Sequence, residues 1–145
     1  MIRAVVRRVV DGDTIDVRAL GARRVSYRVR LIGIDTPERY GRLECGARQA
    51  SDYMRRIAWP GRRVTLRTDP TQDTRDRYGR LLAYVDVPGG SLQALMLRAG
   101  WAAVYVYGGV PFQRLAGFRA AAAAAKRAGR GVYRLCRGNF HLPLR

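Results

Sequence analysis

The sequence predicts an α+β chain: a five-stranded β-barrel of the OB type with about three helices packed outside it. Three observations lead there. Three β-rich segments follow one another through turn signals before any helix appears. Two more strands come after the first helix, and further helices close the chain, an order foreign to the strand–helix alternation of a doubly wound sheet. The 145 residues contain no linker or long repeat, so residues 1–145 are expected to form one domain with an irregular tail from about 130.

The elements follow in order. Residues 2–10 are β-branched and run into Asp11-Gly12, a hairpin-turn signal. Residues 14–20 alternate, with Ile15, Val17 and Ala19 on one face and Thr14, Asp16 and Arg18 on the other. Gly21-Ala22 turns the chain again into a third strand over 24–34. A helix is expected from about Gly46 to Ala58, stopped by Pro60-Gly61, and strands four and five over 63–68 and 81–87 flank the polar loop Asp69–Arg80. Ser91 caps a short helix, Leu92–Ala99, that Gly100 ends. An extended piece, Ala102–Tyr107, precedes a last helix opened by Pro111 and stopped at Gly129.

Composition narrows the chemistry. The net charge is +17, and of 28 basic residues all but Lys126 are Arg. Such an excess points to a polyanion, nucleic acid first, because arginine-rich surfaces bind phosphates with counterion release. An arginine bias from a GC-rich genome, or an acidic protein or membrane face as partner, would account for the charge as well. His141 is the lone histidine, which excludes a paired-imidazole ribonuclease. Sitting four residues from the end beside Leu142-Pro143, it is a poor candidate for Ser-His-Asp hydrolysis. With Cys45 and Cys136 it supplies only three soft ligands, at no zinc-like spacing. No apolar stretch reaches membrane-spanning length, and Met1–Val10 alternates arginines with valines and lacks the apolar core of a signal peptide.

The remaining chemistry falls to carboxylates, arginines and a hard metal. A turn near residues 21–22 pairs positions whose numbers sum to about 43, which sets Asp13 opposite Arg30. If the barrel curls, Asp35 and Glu38 bend back toward Asp13, giving three carboxylates and one arginine on one rim with no histidine nearby. Two aspartates with carbonyls and waters make an oxygen site for a hard cation, and calcium tolerates such flexible coordination. A third carboxylate would orient or deprotonate a water, and arginine forks hold phosphate oxygens. Taken singly, each residue has a bland role: Asp11-Gly12 as a turn, Asp13 as a strand start, Glu38 as a surface ion pair. Glu38–Arg42 echoes Asp76–Arg80, a coincidence too short for a repeat.

Three ordered blocks, Val10-Asp11-Gly12-Asp13-Thr14, the run from Arg30 to Glu38, and the run from Asp76 to Tyr84, resemble the thermonuclease (staphylococcal nuclease-like) family. The likeness extends from about residue 4 to 133 and includes Leu95–Gly100 and Tyr105-Val106-Tyr107. It implies an OB barrel with three helices and calcium-dependent hydrolysis of DNA and RNA at the P–O5′ bond, leaving 3′-phosphates. By position it implies that Asp13 and Asp35 bind Ca2+ through carboxylates and Thr36 through its main-chain carbonyl. Glu38 would be the general base, and Arg30 and Arg80 would hold the phosphate and stabilise the transition state. Arg77, Tyr78, Tyr105 and Tyr107 would contact substrate, in keeping with the way aromatic faces stack on single-stranded bases. For Tyr105 and Tyr107 the bland alternative is a packed strand edge.

The chain departs from the family pattern in two places. The loop Arg39–Cys45 is short and crowded with Arg39 and Arg42, leaving substrate contacts there open. Cys45 and Cys136 are either a disulfide tying the tail to the first helix, as in an exported protein, or two reduced, buried thiols of a cytosolic one. The reading favours a secreted protein whose signal has been removed. It expects a monomer, free of membrane, acting on DNA and RNA with single strands preferred. The rival reading is a non-catalytic single-stranded nucleic-acid-binding module on the same barrel, which leaves the set Asp13, Arg30, Asp35, Glu38 and Arg80 without a purpose.

Overall fold

The structure, a computed structural model, describes residues 1–144. Its strands are β1 (Ile2–Asp11), β2 (Thr14–Ala19), β3 (Ser26–Leu31), β4 (Ile34–Asp35), β5 (Arg63–Arg67), β6 (Leu81–Val87), β7 (Gly90–Ser91) and β8 (Ala103–Val104). The helices are α1 (Ala47–Ile57), α2 (Leu92–Arg98), α3 (Leu115–Ala128) and the single turn α4 (Val132–Leu135). Strand β1 pairs antiparallel with both β2 and β5, β5 with β6, and a parallel pairing of β3 with β6 closes the barrel. This is the five-stranded OB-type barrel with three packed helices of more than one turn.

Alternation along the strands decides what lies inside. Ala4 and Val6 of β1, Ile15 and Val17 of β2, and Val29 and Leu31 of β3 are buried, while Val5, Asp16 and Arg30 between them, on the other face, are half-buried. Two register shifts, between Val6 and Arg8 and between Val9 and Asp11, bend β1 so that it serves both neighbours. Helix α1 buries Ala47, Ala50, Ser51 and Met54, one face at helical spacing. Ser91 caps α2 by accepting a hydrogen bond from the Ala94 N–H.

Four expectations change. In the β2–β3 hairpin Thr14, not Asp13, faces Arg30, because the connection takes in Leu20 through Val25 and moves the register by one. Helix α3 starts at Leu115 rather than Pro111: the Gln113 N–H is held by the Asp69 carboxylate at 2.7 Å, which keeps the preceding segment out of the helix. Only Ala103–Val104 of the piece 102–107 is strand, and Tyr107–Gly109 forms a 3₁₀ turn. The tail is not irregular from about 130. It forms α4, positioned where Gly100 and Gly131 let two backbones touch; a Cβ on Gly100 would lie 2.2 Å from the Arg130 carbonyl oxygen. The tail then returns beside Glu44 through a bridge to Pro143.

Candidate active site

The β1–β2 turn delivers the first acids. The Asp13 N–H donates to the Asp11 Oδ1 at 3.1 Å, a turn closure that holds both carboxyls at the mouth of the barrel. Gly12 is required by proximity, since a Cβ there would lie 2.7 Å from the Thr36 Oγ1. Across that contact Thr36 donates to the Asp13 Oδ2 through its hydroxyl (3.2 Å) and its N–H (3.3 Å), so the end of β4 is tied to the start of β2. Asp13, Thr14 and Thr36 are all buried.

Arg30 sits between the acids. Its Nη1 donates to the carbonyls of Leu31 and Ile34, both at 2.8 Å, which fixes the guanidinium inside the curl from β3 to β4. That leaves Nη2 facing the Asp13 Oδ2 at 3.5 Å and the Asp35 Oδ1 at 4.0 Å. The register shift therefore does not separate Asp13 from Arg30, because the arginine reaches along the strand to its diagonal neighbour.

Three carboxylates lie around this one arginine, and two of them hold their protons more tightly than usual. Burial, then the charge of Asp13, pushes the Asp11 carboxyl up to about 7. The same two causes, in the same order, raise Asp35. A group of acids built only of oxygen donors suits a hard cation. Among the described residues no cluster of three or more His, Cys, Asp or Glu forms a ready-made metal cage. The oxygen donors there that such a cation could use are the Asp13 and Asp35 carboxylates.

Contrary to expectation, a histidine belongs to this rim. The tail brings the His141 Nε2 to 2.7 Å from the Asp35 Oδ2 and its Nδ1 to 2.9 Å from the Glu44 Oε1. A carboxylate at each ring nitrogen favours the protonated ring, and the bond to Glu44 leads the causes that raise the His141 pKa. Glu38 is exposed and its Oε1 accepts from the Tyr40 N–H at 3.1 Å, so its carboxylate lies on the solvent side of the rim.

Arg80 arrives from the loop before β6. Asp76 organises that loop, accepting from the N–H groups of Tyr78 and Arg80 (2.9 Å each) and from the Arg80 Nε at 2.6 Å. Burial alone would raise the Asp76 carboxyl, but these donors outweigh it and hold it below the ordinary range. The Tyr78 ring is exposed, with the guanidinium groups of Arg77 and Arg80 at 4.9 and 5.3 Å from its centre. Val10, Asp11, Thr14, Arg28, Tyr78 and Arg80 line one pocket of ≈ 220 Å³ that joins this loop to the acid rim.

Tyr105 and Tyr107 follow β8, whose pairing with β4 sets Ala103 opposite Asp35. Their rings are 6.4 Å apart and both are exposed, so they are not a packed strand edge. Cys45 and Cys136 are joined by a disulfide with Cα atoms 5.9 Å apart.

Asp11, Arg28, Glu44, Asp76 and His141 were not singled out as site residues. Asp11 was legible as half of Asp11-Gly12-Asp13, where two acids flank a glycine. Nothing local marks His141, which is 106 residues from the aspartate it meets.

A family described as staphylococcal nuclease homologue matches residues 28–134. The chain is 33% identical over 142 residues to endonuclease YhcR of Bacillus subtilis (strain 168), a match covering 89% of this chain and 11% of that protein. It is 38% identical over 120 residues to the micrococcal nuclease of Shigella flexneri, covering 75% and 62% of the two chains. With the thermonuclease of Staphylococcus intermedius it shares 40% identity over 83 residues, covering 55% and 46%. The chain thus spans from about a tenth to under two thirds of these relatives' lengths.

Proposed function

The chain belongs to the staphylococcal nuclease homologue family, and from that premise we propose that it is a calcium-dependent sugar-phosphate nuclease. It hydrolyses the P–O5′ bond of DNA and RNA with little sequence preference, leaving 3′-phosphate ends. One observation carries the reading: Arg30 is held by two backbone carbonyls with its other nitrogen facing two carboxylates, one from the β1–β2 turn and one from β4. A structural arginine has no need of that excess of acid.

Asp13, Asp35 and the Thr36 carbonyl would hold Ca2+, which supplies charge neutralisation at the phosphate and lowers the pKa of a bound water. Arg30 and Arg80 bind the phosphate oxygens and stay cationic as negative charge grows on them. Glu38, on the open side of the rim, accepts a proton from the attacking water. The water oxygen bonds to phosphorus as the P–O5′ bond breaks, and the departing 5′ oxygen takes a proton from solvent. Arg77, Tyr78, Tyr105 and Tyr107 offer stacking faces and a cation to the flanking nucleotides, which favours single strands. The disulfide is consistent with a secreted protein, and the closed barrel with a monomer.

The test is digestion of an end-labelled single-stranded DNA with calcium, with magnesium and with chelator, beside Glu38→Ser. Calcium-dependent fragments ending in 3′-phosphate, reduced about 100-fold or more in the variant, are expected. Tight, salt-sensitive binding with no cleavage would instead identify a nucleic-acid-binding module.

A further inference from the structure

The loop that carries Glu38 is only a few residues long and closes on itself. The Glu38 N–H donates to the Glu44 Oε1 at 2.6 Å, and the Glu44 N–H returns to the Glu38 carbonyl at 2.9 Å. At the loop's crest the Tyr40 hydroxyl donates to the Val10 carbonyl at 2.9 Å, beside the first acids of the rim. Glu44 is thus the residue that fixes the backbone from which Glu38 projects.

The C-terminal tail lies along this loop's exit. The Cys45 N–H donates to the Leu142 carbonyl at 2.7 Å, the Leu144 N–H to the Leu43 carbonyl at 3.0 Å, and Glu44 bridges Pro143. These bonds add the tail as a short antiparallel partner to residues 43–45, and they aim His141 between Glu44 and Asp35. One oxygen, the Glu44 Oε1, accepts from both the Glu38 N–H and the His141 Nδ1. Two groups assigned to the reaction, Glu38 and Asp35, are therefore linked through two residues that have no assigned part in it. The Cys45–Cys136 disulfide staples the arrangement where the tail leaves the fold, over a small apolar cluster with Val132 and Phe140.

Stability does not account for this network. The His141 side chain is 55% exposed, and exposed ion pairs contribute about 0–1 kcal/mol. What the contacts do is orient: one Asp35 oxygen is bonded to the imidazole while the other faces Arg30, and the Glu38 main chain is held at one place. Partners of this kind behind reacting carboxylates affect rates more than folding.

We propose that Glu44 and His141 are positioning residues for Glu38 and Asp35, and that the stapled tail, Cys136–Leu144, is a working part of the active site. The proposal rests on the nuclease reading above. The tail residues it assigns lie beyond residue 134, where the family match ends.

The experiment compares wild type with Glu44→Ala, Glu44→Gln, His141→Ala and the double variant Cys45→Ser/Cys136→Ser. Steady-state cleavage of a single-stranded DNA oligonucleotide is measured, together with hydrogen exchange of the amides of residues 38–45. The two alanine variants are expected to lose about 10–100-fold in kcat with KM within about threefold. Exchange at Glu38 rises in Glu44→Ala, and Glu44→Gln, which keeps an oxygen for that N–H, recovers both exchange protection and most of kcat. The double cysteine variant loses protection at Cys45 and falls in kcat. Wild-type kcat in both alanine variants overturns the proposal, as does a loss confined to KM or to thermal stability. A wild type that binds the oligonucleotide but does not cleave it in calcium overturns the nuclease reading and the positioning role together, an outcome distinct from equal cleavage by all the proteins.

Discussion

Two aspartates in this barrel, Asp69 buried and Asp35 half-buried, have opposite surroundings. Asp69, at the start of the loop before β6, is surrounded by donors: the Tyr84 hydroxyl, the Thr71 N–H and hydroxyl at 2.8 and 2.7 Å, and the Gln113 N–H at 2.7 Å. Burial alone would raise its carboxyl, but these bonds outweigh it and hold the group below the ordinary range. Asp35, on the rim, has neighbouring acids, a shared arginine and one close side-chain partner, the His141 Nε2 at 2.7 Å, and its carboxyl is raised. A carboxylate with every lone pair satisfied is a structural joint, here tying the loop, β6 and the approach to α3 together. One that faces other acids with few donors keeps oxygen lone pairs for a further partner. The comparison separates fold from function at a residue type where burial alone does not.

Matched substitutions break the comparison from both sides. Asp35→Asn is expected to lower cleavage by at least about 100-fold while leaving the urea midpoint within error of wild type, because it removes charge from a site that already has too much. Asp69→Asn is expected to do the reverse. Equilibrium denaturation would show a loss of about 2–3 kcal/mol, since several donors lose a charged acceptor, with kcat little changed in the surviving folded protein. Its sign with pH also follows. The folded Asp69 carboxyl is more acidic than the unfolded one, so its contribution is present above pH 3.8 and is lost as pH falls through the lower folded value. The variant therefore shows a flatter acid limb.

The smallest effect sharpens the contrast. Asp11 in the folded chain binds its proton more tightly than in the unfolded chain, so stability declines as pH rises from 3.8 to about 7. Asp11→Asn keeps an oxygen for the Asp13 N–H and removes that decline. In chelator at pH 8 it is expected to be about 1 kcal/mol more stable than wild type, and equal to it near pH 4. A variant less stable at pH 8 would mean that the rim acids are not in mutual repulsion.

Much of this was legible in order along the chain. β-Branched residues marked β1, period-two alternation marked β2, and the Asp11-Gly12 turn lay between them, because strand faces and tight turns are decided by neighbours a few residues away. Arg30, Asp35 and Thr36 lie on consecutive strand ends, so their meeting follows once the barrel closes. The hairpin register was off by one, since the length of an open loop such as 20–25 is not set by any single turn residue. Asp69 looked like an ordinary loop acid because Tyr84 and Gln113, which occupy it, come from distant segments.

The sequence by itself determined the barrel's strand order, the acids and arginines that reach its mouth, and the absence of any second histidine to share the work. Only the tertiary structure decided that the one histidine comes to that mouth. Local patterns encode local geometry, but the approach of His141 to Asp35 depends on where α4 leaves the barrel, how closely Gly100 and Gly131 let two backbones approach, and where a disulfide joins residues 45 and 136. Contacts that distant in the chain are set by packing of the whole fold, because closing so long a loop costs entropy that no local preference repays.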